Sequence, residues 1–245
     1  MVDVTWDSWR RRLTPFIQAV WPSGCLLCSG VVESSQLDLC AACRSELPMN
    51  EPACARCADA LTGSVGLQLT CGQCLRHPPR FDAARCVLRY AYPVDHLVRG
   101  LKYGGAVANG RVLGELLALH VSQGRNEPLP SLMVPVPLAQ GRYRRRGYNQ
   151  AIELGRSLEK RLQVPLRCDL VVRTRETTEQ AGLKKSARRK NVRGAFALTG
   201  KLPAHHIAII DDVVTTGSTV NELARVLKRA GARRVEVWAA ARAGG

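Results

Sequence analysis

Aromatic side chains are scarce, at 5% of 245 residues, and only three methionines occur. A surface built mainly on stacking against nucleic-acid bases is therefore excluded. No apolar run approaches the ~18 residues of a membrane span, which excludes a membrane-spanning helix. Arg10, Arg11 and Arg12 are followed by only about six mostly apolar residues, Phe16 to Trp21, short of the ~7–15-residue core of a signal peptide. The expected compartment is the cytoplasm. No Gly-Lys-Ser/Thr closes a glycine-rich loop and no Gly-x-Gly-x-x-Gly follows a strand-like run, so a Walker loop and a dinucleotide-binding turn are both missing. With 46% hydrophobic and 23% charged residues the chain is neither disordered nor fibrous, and its length suits one full domain plus something smaller.

Acidic residues are also in short supply, 20 against 36 Lys and Arg, for a formal charge of +16. Residues 140–195 hold sixteen of the basic residues and five of the acidic ones, so about two thirds of the excess lies in under a quarter of the chain. Such a field draws in phosphates, pyrophosphate or nucleic acid and weakens with salt. A solvated surface that only aids solubility is the plainer alternative. Two clusters stand out: Arg142, Arg144, Arg145 and Arg146, then Lys184, Lys185, Arg188, Arg189 and Lys190.

Cysteine, by contrast, is abundant. Eight of the ten form Cys-x-x-Cys pairs: Cys25/Cys28, Cys40/Cys43, Cys54/Cys57 and Cys71/Cys74; Cys86 and Cys168 stand alone. A two-residue spacer turns both thiolates of a knuckle toward one tetrahedral ion, and two knuckles complete a structural zinc site. Four knuckles imply two zinc ions. Neighbouring knuckles pair most simply, with a crossed pairing as the alternative, and a disulfide framework suits a reducing compartment poorly. Each four-thiolate zinc carries −2, so two would bring the formal +16 to about +12. Few large apolar residues lie between the knuckles, so metal binding is expected to supply the folding energy of this module. Ahead of it Trp6, Trp9, Leu13, Phe16, Ile17 and Val20 recur at helical spacing, interrupted by Pro15. An amphipathic helix packed on the protein is expected, a peripheral membrane contact being the other use of such a stripe.

The stretch Arg76-His77-Pro78-Pro79 marks the expected boundary, giving a helix and zinc module over 1–79 and a second domain over 80–245. Beyond it strand-like and helix-like segments alternate: strands at 83–90, 132–136 and 170–173, helices at 112–121 and at 149–162, the last capped by Asn149. Alternation of this kind predicts an α/β domain with a mainly parallel sheet. Its strongest element is the strand Ile207-Ala208-Ile209-Ile210, followed by Asp211-Asp212-Val213-Val214-Thr215-Thr216-Gly217-Ser218-Thr219 and a helix over 220–230. Hydroxyls of Thr215, Thr216, Ser218 and Thr219 would converge with helix N-terminal N–H groups on one anion, while Gly217 lets the backbone approach it closely. Asp211 and Asp212 suit vicinal sugar hydroxyls or magnesium rather than phosphate itself. Together they point to a sugar phosphate.

The run IIDDVVTTGST (209–219) resembles the phosphoribosyl pyrophosphate (PRPP) motif of type I phosphoribosyltransferases. With the four knuckles, LKYGG (101–105), VPVPL (134–138), RRRGYNQ (144–150) and the pattern Thr177, Gln180, Leu183, Arg188, Asn191, Phe196, nearly the whole chain resembles the ComF/GntX family. Tyr148 stands where that family more often has phenylalanine. The resemblance implies a double zinc ribbon joined to a type I phosphoribosyltransferase-like parallel sheet flanked by helices. It further implies that Asp211 and Asp212 hold the ribose hydroxyls, directly or through magnesium, that 215–219 hold the 5-phosphate, and that the loop after VPVP meets pyrophosphate. Arg142 and Arg146 are candidate pyrophosphate ligands, since a charged leaving group needs donors where charge develops. Lys102 is a further candidate for the same anion, with a solvated lysine as the alternative. Residues 174–191 look like the loop that closes over such sites, with Arg188 and Asn191 as candidates within it. No histidine falls in a motif, and phosphoribosyl transfer needs no protein base when magnesium and positive charge assist the leaving group.

Two functions follow as expectations. One is transfer of phosphoribosyl from magnesium-bound PRPP to an unidentified acceptor; the other is a non-enzymatic, regulatory nucleotide-binding role in handling single-stranded DNA. The resemblance adds involvement in DNA uptake during natural transformation, with competence-machinery proteins as partners. Since little chain follows the strand expected at 235–240, the zinc module is expected to cover the acceptor. Any single-strand binding would rest on phosphate contacts, with Tyr143 and Tyr148 each able to hold a base.

Overall fold

The computed structural model describes residues 24–32, 37–62, 69–123, 127–175 and 191–244. The tryptophan-bearing stripe before Cys25 and the second basic cluster, Arg188 included, lie outside the described residues. The chain divides into two compact units, Met1–Leu47 and Pro48–Gly245. Compactness therefore cuts inside the cysteine-rich segment rather than at 79/80. The physical reason lies on the Pro48 side: buried Asn50 donates from Nδ2 to the carbonyls of Ala58 (2.9 Å) and Cys86 (3.3 Å), and Ala58 is part of the main apolar core. The second knuckle pair is thus built into the α/β unit.

The first unit holds helix α1 (Ala41–Ser45). In the second, α2 (Gly72–Arg76) precedes β1 (Ala83–Arg89), α3 (Val94–Tyr103), α4 (Val107–Ser122), β2 (Leu132–Pro135), α5 (Gln140–Arg146), α6 (Gln150–Leu162), β3 (Val171–Arg173), β4 (Phe196–Leu198), β5 (His206–Val214), α7 (Ser218–Arg229) and β6 (Arg234–Arg242). Four strands make a parallel sheet in the order β1-β6-β5-β2. Its centre is apolar on both faces, as a parallel sheet covered by helices requires: Ile207 to Ile210 and Val235 to Ala241 are buried throughout, with only Glu236 polar among them. Glu236 is satisfied by Trp238 Nε1 (2.9 Å), His206 Nε2 (3.0 Å) and Arg234 Nε (3.2 Å).

The predicted strand at 170–173 forms outside this sheet, as an antiparallel ribbon of β3 with β4. Helix α3 was not anticipated, although Val94, Leu97, Val98 and Leu101 are all buried and recur at helical spacing. Asn149 does cap α6, accepting from Ala151 N at 3.0 Å. Helices α4 and α6 approach so closely at Gly114 that a Cβ there would lie 2.7 Å from Ser157 Cβ. Among the described residues no helix is long and apolar enough to cross a membrane.

Candidate phosphate site and cysteine tetrads

The knuckles pair with their neighbours: Cys25, Cys28, Cys40 and Cys43 form one tetrad, Cys54, Cys57, Cys71 and Cys74 the other, with each set of sulfurs lying within 4.8 Å of one another. The two are built alike. Cys25 N donates to Gly30 O (2.7 Å) and Ser29 N to Cys25 O (2.8 Å); Cys54 N donates to Asp59 O (2.8 Å) and Ala58 N to Cys54 O (2.8 Å). Ser29 and Ala58 both have positive φ, 60° and 55°, and the third cysteine of each set opens a single helical turn, α1 or α2. Cys28 to Cys40 and Cys57 to Cys71 are each 3.7 Å between sulfurs. Tetrahedral ligands about 2.3 Å from a zinc ion stand about 3.8 Å apart, so the donor set fits zinc. Without a cation the thiolates repel: burial and then neighbouring thiol charge push Cys57 up to about 12, whereas in the first tetrad backbone N–H groups of Cys40, Cys28 and Leu27 overcome burial and bring Cys25 down to about 6. These tetrads support structural zinc.

The second candidate site forms where β5 ends. Asp211 and Asp212 occupy its last turns of pleat, Asp212 N donating to Asp211 Oδ1 at 2.9 Å. Lys102, near the end of α3, places Nζ 2.6 Å from Asp212 Oδ2. Burial, then the charge of Asp212, holds Asp211 well above the usual carboxylate range; burial acts on Asp212 the same way, but the Lys102 ammonium outweighs it and holds Asp212 low. The two carboxyls are thus pushed in opposite directions.

Beyond it the hydroxyl loop turns at Gly217, whose φ of 71° is a conformation that glycine adopts without cost, and α7 begins at Ser218. The cap residue Gly217 offers no side chain and no acidic residue lies in the first turn of α7; Thr216 Oγ1 accepts from Ser218 N at 3.4 Å, and the positive dipole end faces the loop. Thr216 Oγ1 and Ser218 Oγ are 2.9 Å apart; Thr215 and Thr219 complete the hydroxyl set. Glu222, one turn on, is held by Arg225 at 2.6 Å and accepts from Gly194 N at 2.7 Å.

Three segments converge on this strand end. Tyr148 OH donates to Leu101 O and Asn149 Nδ2 to Val136 O (3.0 Å), tying the α6 N-terminus to α3 and to the loop after VPVP. Arg146 stacks 5.1 Å from the centroid of the exposed Tyr103 ring and donates to Gln150 Oε1 at 3.0 Å. Arg142 is near enough to Arg173 that burial, followed by the Arg142 charge, lowers Arg173 to about 10, with Asp211 opposing. The sequence reading missed two of these participants. Arg173 ends strand β3, and its guanidinium, 5.5 Å over Phe196, lies within the electrostatic reach of Asp211. Arg242, at the end of β6, donates to the carbonyls of Val214 (3.0 Å), Thr215, Ala243 (2.6 Å) and Cys57 (3.2 Å) and pairs with Asp59 at 3.2 Å. It clamps the hydroxyl loop to the second knuckle pair, and only its place two residues past an apolar strand could have signalled it. Beside the loop opens a cavity of about 730 Å³, bounded by residues 214–218, the first turns of α7 and the segment from Gln73 to Phe81.

A carboxylate pair at a parallel-strand end, a hydroxyl loop and a helix N-terminus define an α/β protein of phosphoribosyltransferase type, here continuous with two four-cysteine centres. The double zinc ribbon domain matches residues 16–75 and the phosphoribosyl transferase domain residues 148–244. The chain is 33% identical over 225 residues to Competence protein F of Haemophilus influenzae, covering 89% of this chain and 96% of that one. It is 36% identical over 220 residues to the DNA utilization protein YhgH of Escherichia coli, with the same coverage of 89% and 96%. The protein belongs to the ComF family. A solved hypoxanthine phosphoribosyl transferase of Trypanosoma cruzi aligns over 56% of this chain and 74% of that one at 16% identity, with a TM-score of 0.35. That score adds nothing to a fold already defined by the sheet order and the domain match.

Proposed function

We propose that this protein binds magnesium PRPP at the end of β5 and is a phosphoribosyltransferase-like component of DNA uptake. One observation carries the reading: the buried carboxylate pair near the end of β5 and the N-terminus of α7 flank one short turn, Val213 to Gly217, whose hydroxyls lie between them. That spacing matches a sugar diol at one end and its 5-phosphate at the other. Asp211 and Asp212 take the hydroxyls; Thr215, Thr216, Gly217, Ser218 and Thr219 take the phosphate. Arg142 and Arg146 on α5, with Arg173, supply the positive charge that a departing pyrophosphate requires. Lys102 acts on the carboxylates rather than on the anion, keeping Asp212 ionised.

The carboxylate pair fits a divalent cation, because burial and mutual repulsion leave Asp211 short of positive charge even with Lys102 in place. Asp211 and Asp212 would hold magnesium with the ribose hydroxyls. When bound, magnesium neutralises the pyrophosphate so that the bond to C1 breaks more easily. The names of the relatives, a competence protein and a DNA utilization protein, support the link to DNA uptake and a place among competence-machinery partners.

Calorimetric titration of magnesium PRPP tests the reading. Wild type should bind and the Asp211→Asn/Asp212→Asn double variant should not; a wild type that takes up no PRPP would remove the proposal. A second reading, handling of single-stranded DNA, is favoured by the arginines of α5 beside exposed Tyr103 and Tyr143. It requires an affinity that falls steeply with salt, and a flat salt response would exclude it.

A further inference from the structure

The cavity beside the hydroxyl loop shares a wall with the proposed 5-phosphate site but not with the proposed ribose site. Thr215, Thr216, Gly217 and Ser218 line it, whereas Asp211, Asp212, Lys102 and Arg142 do not. In a ribose 5-phosphate the diol and C1 lie on one side of the phosphate and C5 leads to it. With the diol on the carboxylates, the acceptor grows from C1 on the carboxylate side. Whatever fills a space that touches the phosphate loop alone must extend from the phosphorus. The cavity, about 730 Å³, is far larger than one phosphate and lies within the ~300–1,000 Å³ of small-ligand pockets.

Its walls suit a second nucleotide. Arg80 and Arg193 border it together with the polar side chains of Gln73, His77 and Asn221, while Pro78 and Pro79 supply flat apolar surface over the buried Phe81. Asn221 is fixed in place, its Oδ1 accepting from Arg80 N at 2.6 Å. Arg225 is already committed to Glu222 and Arg242 to Asp59, so the lining is positive without being a plain anion hole. Guanidinium groups recognise a further phosphate, and flat apolar surface receives a base.

We propose that this cavity accepts a nucleotide joined through the 5-phosphate of the sugar bound at the carboxylates. The ligand class is a ribosyl group with a free diol whose 5-phosphate carries a second nucleotide, as in a nucleoside diphosphate ribose. The inference rests on the sugar-phosphate reading of the β5 site and enlarges it: PRPP fills the diol and phosphate positions, and the extended ligand fills these and the cavity. The second cysteine tetrad, whose Cys57 and Cys74 lie in the wall, becomes part of the ligand-binding surface.

The test is competition against bound magnesium PRPP in the full-length, zinc-loaded protein, with ADP-ribose and ribose 5-phosphate as probes. ADP-ribose should bind at least about tenfold more tightly than ribose 5-phosphate, the factor that a modest set of extra contacts supplies. Gln73 is exposed and lines the cavity from the segment before β1, not from the hydroxyl loop, so Gln73→Trp should abolish that advantage while the affinity for ribose 5-phosphate stays as it was. Gln73→Ala, which enlarges the cavity, should retain the advantage; His77→Trp is a second blocking variant should zinc content fall in the first. PRPP binding with no preference for ADP-ribose, or a preference that survives both tryptophans, overturns the cavity proposal alone. Failure of PRPP itself to bind overturns the sugar-phosphate reading and the cavity proposal with it.

Discussion

Arg242→Met would separate two things that one guanidinium holds together. The head group is buried at the end of β6 and meets four carbonyls and the Asp59 carboxylate, which between them belong to the hydroxyl loop, the chain end and the second knuckle pair. Methionine preserves most of the apolar stem, so the loss is that of the charged fork. A hydrogen bond to a charged group contributes roughly 1.5–3 kcal/mol, but five contacts from one head group are not additive. Breaking one partner of a buried pair costs about 3–5 kcal/mol, and that range is the better guide, since Asp59 and the carbonyls are left without their donor. For a unit of this size about 1 kcal/mol corresponds to about 2–4 °C, so the melting temperature should fall by roughly 10 °C. Because Thr215 loses its anchor, PRPP affinity should fall as well. Thermal unfolding of the zinc-loaded protein followed by circular dichroism, then PRPP calorimetry on the folded fraction, reads both effects. Arg242→Lys keeps the charge without the fork and should lie between. A methionine variant that melts within about 2 °C of wild type and binds PRPP normally would refute the clamp.

Lys102→Met removes the ammonium that keeps Asp212 low, so both carboxyls should titrate upward. Asp211, already raised, gives more stability as pH falls through its folded value. Asp212, lowered in the wild type, gives stability that is lost only when pH falls through its low folded value, and the variant reverses that sign. The stability gap between wild type and variant should therefore be widest near neutral pH, narrow as acidification protonates the raised carboxyls of the variant, and close only below the ordinary carboxylate range; a constant gap in pH-dependent urea unfolding would contradict the pairing. Removal of metal should also act unequally. Cys54→Ser/Cys57→Ser should loosen β5 and β6 more than Cys25→Ser/Cys28→Ser does, because only the second tetrad shares a compact unit with the sheet; equal loss of hydrogen-exchange protection in those strands would rule this out.

Local patterns made much of this legible beforehand. Ile207 to Ile210 read as a buried strand, Asn149 as a cap, and the Cys-x-x-Cys spacing as four knuckles, while the choice between neighbouring and crossed pairing waited for the sulfur distances, which favour neighbours. The helix α3 was equally legible, with Val94, Leu97, Val98 and Leu101 at helical spacing. Lys102 is different. Its sequence neighbourhood suggests an anion, yet the direction in which α3 packs brings its ammonium to a carboxylate.

Chemistry of short range was therefore legible in sequence alone: which cysteines form knuckles suited to a metal, which run carries the hydroxyls, and which strand carries the paired carboxylates. Such features depend on neighbours within about ten residues, whose relative positions the backbone dictates. Only tertiary structure decided that Lys102 neutralises Asp212, that Arg173 joins Arg142 near the carboxylates, and that Arg242 binds a loop to a zinc knuckle 185 positions earlier. Those contacts join segments far apart in the chain, and their meeting depends on how apolar faces of helices and strands are buried together rather than on any residue's immediate neighbours.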